Sequence, residues 1–181
     1  MRGLDQARRE LQELSNQTLS TSKRAIFALH RNDRAAAERE LVEARLKLAR
    51  ALAIVKKESR LAQEGAWRAA QEEFSEAELF LQYETSGKIG RVVGVSDDAD
   101  IFLGALSDLT GELTRRAVML ASERNGKAVQ RIFEDVQEAV EFLLRMDLTG
   151  SLRTKLDQAK QNLRKLEEIR YDLALRTYPT T

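Results

Sequence analysis

Residues 99–122 read ADIFLGALSDLTGELTRRAVMLAS, and this stretch decides the fold class. Ser96-Asp97-Asp98 precedes it and is typical of a helix N-cap, and Asn125-Gly126 follows it as a stop signal. Its most apolar part, residues 101–113, carries charges and is too short to cross a bilayer. The stretch therefore predicts one long helix of an all-α protein.

Five further helices are predicted by apolar residues that recur at i, i+3 or i+4 along the rest of the chain. Their approximate bounds are residues 4–29, 34–63, 66–85, 127–146 and 152–176. Residues 86–94 hold three of the nine glycines and form the clearest loop. The sequence thus predicts a single domain over residues 1–181, folded as a helical bundle. Because several of these helices are longer than usual and carry long apolar stripes, we also expect subunits to associate.

Composition excludes several kinds of site. The chain has no cysteine, which rules out disulfides, thiolate metal sites and thiol catalysis. Its one histidine, His30, precedes a turn and cannot complete the paired Glu-x-x-His motifs of a di-iron bundle. The net charge of +1 gives no indication of a polyanionic partner, so such binding depends on how charge is distributed. Residues 1–17 lack the apolar core of a signal peptide, and we expect a cytoplasmic protein with no membrane partner.

Two acidic pairs at helical neighbour spacing are the candidate catalytic and metal-binding residues. Glu73 and Glu76 are three residues apart on the third predicted helix, and Asp108 and Glu112 are four apart on the fourth. Four carboxylates brought together repel one another at neutral pH unless a divalent cation compensates their charge. Oxygen-only ligands suit Mg²⁺, with Mn²⁺ as the alternative, and such ions support phosphoryl-transfer chemistry. From spacing alone, solvated or salt-bridged acids are the more common interpretation, because charged residues make up 33% of the chain.

Glycine is unusual inside the fourth helix, where Gly104 and Gly111 share the side of the acidic pair. A glycine within a helix costs about 1 kcal/mol relative to alanine. We therefore expect another group to approach this face of the helix closely.

Four basic residues are candidate nucleic-acid contacts. Arg115 lies three residues after Glu112 and could hold a phosphate bidentately, although pairing with an acid is the more common role. Arg68 offers the same two alternatives. Lys88 and Arg91 lie in the glycine-containing loop, where contact with a nucleic-acid backbone and surface solvation explain them equally well.

At these residues the sequence resembles the translin/TRAX family. The resemblance extends over about residues 67–176, in the family's order, and is carried by four segments. They are Trp67-Arg68, Glu73-Phe74-Ser75-Glu76-Ala77, residues 102–113 (FLGALSDLTGEL) and the closing helix at residues 167–176 (EEIRYDLALR).

The resemblance implies a translin-like bundle of six to seven helices that assembles as a homo-oligomer into a hollow, octamer-like shell. It implies RNA, single-stranded or duplex, as the partner inside that shell, with single-stranded DNA as a further partner. TRAX-type subunits cleave RNA at a Mg²⁺-dependent acidic site, whereas translin-type subunits bind without carrying that site. The catalytic, metal-binding carboxylates of the TRAX site match Glu73, Glu76, Asp108 and Glu112, which implies a metal-dependent endoribonuclease.

Two other functions stay open at this point. The same shell could hold RNA or single-stranded DNA without cutting it, or the chain could be a structural helical scaffold whose acids are ordinary surface. Burial separates these alternatives, because acids in a shared concave cavity favour chemistry and acids in bulk solvent favour the scaffold.

Overall fold

The chain is a series of long helices joined by short connections. In the computed structural model, residues 2–177 are described, and they form six α-helices and one 3₁₀ turn at Ser59–Leu61. The helices are α1 (Arg2–His30), α2 (Arg34–Lys57), α3 (Gly65–Ser86), α4 (Ala99–Ser122), α5 (Gly126–Leu144) and α6 (Gly150–Thr177). No β-strand occurs among these residues, so the predicted all-α fold class is confirmed.

Helix ends lie where local side chains can satisfy the terminal backbone groups. Asp33 and Asn125 each accept a hydrogen bond from the backbone N–H three residues on, at 3.0 and 3.2 Å, and so cap α2 and α5. Asp98 does the same for α4, accepting from the N–H of Asp100 at 3.0 Å. Gly87 ends α3 with a φ of 65°, a left-handed conformation that favours glycine. The capping signal predicted at Ser96-Asp97-Asp98 is thus confirmed.

The predicted second helix, about residues 34–63, is six residues too long. α2 ends at Lys57, because Glu58 leaves the helical region with a φ of −125° and a ψ of 73°. The chain between this point and Gly65 contains no glycine or proline that would have marked the end. All other helix bounds agree with the prediction to within two residues.

The first of two compact units comprises Met1–Ala105. Within it α1, α2 and α3 all pack against one another. Its completely buried large side chains are Leu48, Leu61, Phe74, Leu79 and Phe80, and Leu11, Leu41 and Trp67 are no more than 2% exposed. Leu11, Leu41, Leu48, Trp67 and Phe74 lie on the apolar stripes predicted for the first three helices, whereas Leu61, Leu79 and Phe80 were not on those stripes. His30 is the last residue of α1, as expected, and its ring lies 5.0 Å from that of Phe80.

The second unit comprises Leu106–Thr181 and is described as far as Thr177. It contains the rest of α4 together with α5 and α6, and the last two helices pack against each other. Its core includes Leu109, Val136, Leu143, Leu156 and Leu166, each no more than 2% exposed. Asn162 of α6 donates a hydrogen bond to the hydroxyl of Thr110 at 2.9 Å, which ties α4 to α6. The division into two compact units leaves the single domain over residues 1–181 as a prediction.

None of the helices within residues 2–177 is both long enough and apolar enough to cross a membrane.

Candidate functional site

The first acidic pair lies on α3 among buried apolar residues. Phe74 and Ala77 are completely buried next to it. Glu76 is only 7% exposed, and the side chain of Glu73 is 19% exposed. A carboxylate with so little water around it needs polar or charged partners, and both glutamates have them. Glu76 therefore does not lie on a solvated face of its helix.

Glu73 has a cationic neighbour from another helix. The ammonium nitrogen of Lys23, on α1, lies 3.9 Å from Glu73 Oε2. Lys23 itself is exposed, with 58% of its side chain accessible. The salt-bridged interpretation of this acid thus has a specific partner, although the distance is at the outer limit for an ion pair.

The second acidic pair lies on α4, and one of its members is firmly paired. Lys155 of α6 donates a hydrogen bond to Asp108 Oδ2 and forms an ion pair with it. The two side chains are 25% and 33% exposed, so the pair is only partly solvated. Glu112 is half-buried and also takes part in an interaction. Asp108 therefore has its charge compensated by a lysine of its own unit.

The helical glycines of α4 have different surroundings. A Cβ at Gly104 would lie only 2.7 Å from Cδ of Glu72, so the close approach expected at this position is confirmed. The approaching group is the side chain of a third α3 glutamate. At Gly111 a Cβ would meet Asn162 Nδ2 at 3.5 Å, which is an ordinary contact. Within the second unit, nothing requires a glycine at position 111.

The donor chemistry of the quartet fits a hard divalent cation. All four side chains offer carboxylate oxygens, which Mg²⁺ and Mn²⁺ prefer, and each pair shares a helix face. Across residues 2–177, no group of three or more histidine, aspartate or glutamate side chains is gathered so that it could hold an ion. Each unit supplies two members of the quartet. The quartet therefore fits a divalent cation by the chemistry of its oxygen donors, and the described residues do not gather these donors around one point.

Arg68 is occupied by acids at the start of α4. Its guanidinium lies 2.5 Å from Asp98 Oδ2 and 3.8 Å from Asp100 Oδ2. Asp98 also caps α4, so this arginine supports the helix start. Of the two alternatives for Arg68, the pairing with an acid is the one observed. Trp67 beside it is 1% exposed and belongs to the core.

The remaining cationic candidates are more accessible. Arg91 has 83% of its side chain exposed, and its nearest acid, Asp97, lies 3.5 Å away and is itself almost fully exposed. Lys88 is exposed in the same loop. Arg115 is exposed on α4, where it has an interaction of its own. Lys88 and Arg91 are thus the candidates best placed to contact a polyanion.

Arg91 also lines an open cavity beside the acidic helix. The cavity has a volume of about 400 Å³, and Phe102 of α4 and Ser75 of α3 line it as well. Ser75 lies between the two glutamates of α3, and its hydroxyl oxygen is buried without a hydrogen-bond partner. An aromatic ring, an orphaned hydroxyl and an accessible guanidinium therefore border one opening.

Three functional side chains were not singled out from the sequence. Lys23 and Lys155 pair with members of the quartet, and Glu72 fills the space left by Gly104. The glycine was a usable signal for a close neighbour, but it did not say which one. Nothing in the sequence distinguished these two lysines from the rest of the 30 lysines and arginines of the chain.

Comparisons with known proteins extend over nearly the whole chain. A family model described as Translin family matches residues 6–177. No curated protein is significantly similar in sequence. Among solved structures, apo-NeC3PO is similar at 21% identity with a TM-score of 0.87, over 95% of this chain and 92% of that chain. The complex of AfC3PO with duplex RNA is similar at 23% identity with a TM-score of 0.82, over 97% of this chain and 93% of that chain. The predicted translin-like fold is thereby confirmed.

Proposed function

Because the chain belongs to the Translin family, we propose that it binds RNA and cleaves it as a metal-dependent endoribonuclease of the TRAX type. The substrate is RNA, single-stranded or duplex, held inside a homo-oligomeric, octamer-like shell. AfC3PO, whose fold this chain shares, has been solved with duplex RNA, which supports RNA as the partner. A cytoplasmic location stays a prediction.

The observation that carries the proposal is the complete acidic quartet with one member buried. Glu73, Glu76, Asp108 and Glu112 are all present, and Glu76 is 7% exposed. Burial disfavours the charged form of a carboxylate unless polar or charged partners accompany it, and Glu76 has such partners. A divalent cation bound by the quartet would add to that compensation.

The four acidic residues form the metal-binding part of the proposed site. Glu73 and Glu76 of α3, with Asp108 and Glu112 of α4, are the oxygen donors that would hold Mg²⁺ or Mn²⁺. When bound, that ion neutralises charge on a phosphodiester and makes a bound water more acidic.

The basic residues of the chain hold the RNA backbone. The accessible ammonium of Lys88 and guanidinium of Arg91 bind phosphates without reading sequence. Phe102, at the cavity beside α3, offers a ring on which an unpaired base can stack.

A second candidate function has its own supporting observation. Lys155 already compensates the charge of Asp108, and Lys23 approaches Glu73. A carboxylate that is paired with a lysine needs no metal, which favours a binding protein that holds RNA or single-stranded DNA without cutting it.

One experiment separates these functions. Purified protein is incubated with labelled RNA and labelled DNA in Mg²⁺ or in EDTA, and both binding and cleavage are measured. The nuclease proposal expects RNA cleavage that requires the metal and is lost in Glu76→Gln. The matched control is Glu84→Gln. Glu84 is an exposed glutamate of the same helix, and the protein with this substitution is expected to cleave RNA normally.

The other outcomes assign the other functions. Tight RNA binding with no cleavage in any divalent metal would identify the non-catalytic binding protein. Absence of binding to either nucleic acid would leave the structural scaffold.

A further inference from the structure

One acid of each candidate pair is neighboured by a lysine that comes from a different helix. Lys155 of α6 donates to Asp108 Oδ2, and Lys23 of α1 lies 3.9 Å from Glu73 Oε2. The first pair is the closer one and has the less exposed cation, 25% against 58% of the side chain. Lys155 is thus the stronger of the two local counter-charges.

A lysine in this position competes with a metal ion for the same carboxylate. Its ammonium group is a compact cation with three N–H donors, so it both neutralises the acid and occupies an oxygen lone pair. A divalent cation that binds Asp108 would lie within a few ångströms of that ammonium and be repelled by it. As long as Lys155 holds Oδ2, a metal ion at Asp108 is therefore bound more weakly.

We infer that Lys155 is a resident counter-cation that holds Asp108 in the metal-free protein and weakens the binding of a divalent cation there until it moves aside. Lys23 has the same role toward Glu73 in a weaker form. This inference rests on the proposed function, because it assumes that the acidic quartet binds a divalent ion. Lys155 therefore sets the metal concentration at which the proposed site fills. It is a positioning residue and takes no part in the chemical step.

The test measures metal binding by the full chain without RNA. Mn²⁺ is titrated into the wild type, Lys155→Met and Lys160→Met by isothermal calorimetry. Methionine keeps the length of the lysine stem and removes the charge. Lys160 is the matched control, since it lies on the same helix with 32% of its side chain exposed and pairs at 3.1 Å with Asp157, which is outside the quartet.

We expect Lys155→Met to bind Mn²⁺ roughly five- to tenfold more tightly than the wild type, because one partly solvated competing charge is gone. Lys160→Met should match the wild type within about twofold. Lys155→Arg keeps a competing cation and should not bind more tightly than the wild type. If Lys155→Met does not purify as a folded protein, Lys155→Gln replaces it with the same expectation.

A second readout separates competition from a structural role. Without metal, loss of the ion pair should lower the melting temperature of Lys155→Met, and saturating Mn²⁺ should raise it more than it raises that of the wild type. If Lys155 had a merely structural role, Lys155→Met would lower the melting temperature by the same amount without metal and in saturating Mn²⁺.

The outcomes distinguish two failures. If the wild type binds Mn²⁺ and Lys155→Met binds it with the same or a lower affinity, the counter-cation role is overturned and the proposed nuclease stays intact. Absence of Mn²⁺ binding in the wild type and in every Lys155 variant would overturn both. Binding that appears only in Lys155→Met would support the role of the lysine directly.

Discussion

At the scale of single residues, the two acidic pairs differ in how their charge is accommodated. Glu76 is nearly buried on α3, whereas Asp108 is one-third exposed and paired with Lys155. Loss of charge at either position removes an attraction to its partners, and at the more buried Glu76 it also relieves a larger desolvation penalty. Substitutions at the two positions therefore report on different parts of the proposed site.

Asp108→Asn tests the catalytic role of the α4 pair. The amide keeps the shape of the side chain and removes the charge that binds Mg²⁺, so RNA cleavage should be abolished while RNA binding persists. Unfolding in urea should show a loss of at most about 1 kcal/mol, since the ion pair with Lys155 is partly solvated. Cleavage at the wild-type rate, with unchanged Mg²⁺ dependence, would remove Asp108 from the site.

Gly111→Ala and Gly104→Ala test what approaches α4. Alanine at position 111 has room beside Asn162 and should stabilise the protein by up to about 1 kcal/mol through helix propensity. At position 104 the new methyl group displaces the end of the Glu72 side chain, so the gain in the free energy of unfolding should be smaller. Urea denaturation of both variants measures the difference. A destabilised Gly111→Ala would show that something outside the second unit packs against that glycine.

At the scale of elements, helices were predictable where capping residues mark their ends and less so elsewhere. Asp33, Asp98 and Asn125 cap helices whose starts the sequence located to within a residue. The end of α2 was missed because Glu58 breaks the helix by its backbone conformation and not by residue type. Local signals predict local boundaries, and tertiary packing decides the rest.

The candidate site was predictable in its acids and not in their partners. Helical spacing placed each acidic pair on one face, because both members belong to the same element. Lys155 lies 47 residues from Asp108 in sequence, and a contact over that distance depends on how α4 and α6 pack. For the same reason, the sequence left open whether Arg68 pairs with an acid or contacts a nucleic acid.

The loop between α3 and α4 is the element expected to bind RNA backbone. Replacing both Lys88 and Arg91 with alanine should weaken RNA binding and reduce the dependence of log affinity on log salt by a slope of roughly 1.5. Arg153→Ala is the control, because this arginine is similarly exposed but lies on α6 beside Asp157. Binding isotherms at several salt concentrations give both slopes. An unchanged slope in the double variant would place the RNA-binding cations elsewhere.

At the scale of the whole molecule, the described surface leaves apolar residues exposed in a pattern. Val42 and Leu46 lie one turn apart on α2 and are 55% and 65% exposed. Tyr171 and Leu175 repeat the same spacing on α6, at 65% and 55%. Scattered apolar residues are normal on a protein surface, but pairs at i, i+4 form a stripe on one helix face. Such stripes are typical of surfaces that another subunit covers.

We expect these two stripes to contact other copies of the chain in a homo-oligomer, so that light scattering gives a mass several times the 20.5 kDa of one chain. An octamer-like assembly corresponds to about eight chains. Replacing Val42 and Leu46 together with glutamate puts two charges into the stripe on α2, and burying an unpaired charge costs several kcal/mol. The variant should therefore dissociate into smaller species.

Val93→Glu controls for this substitution. Val93 is 73% exposed in the loop after α3, so the same change there adds a charge without entering a helical stripe. It should leave the mass unchanged. If the chain forms the proposed shell around RNA, dissociation of the oligomer removes that enclosure. The α2 variant should therefore lose RNA affinity while each chain keeps its helical content by circular dichroism. A wild-type mass near that of one chain would end the shell hypothesis, and an intact oligomer in the α2 variant would move the subunit interface away from α2.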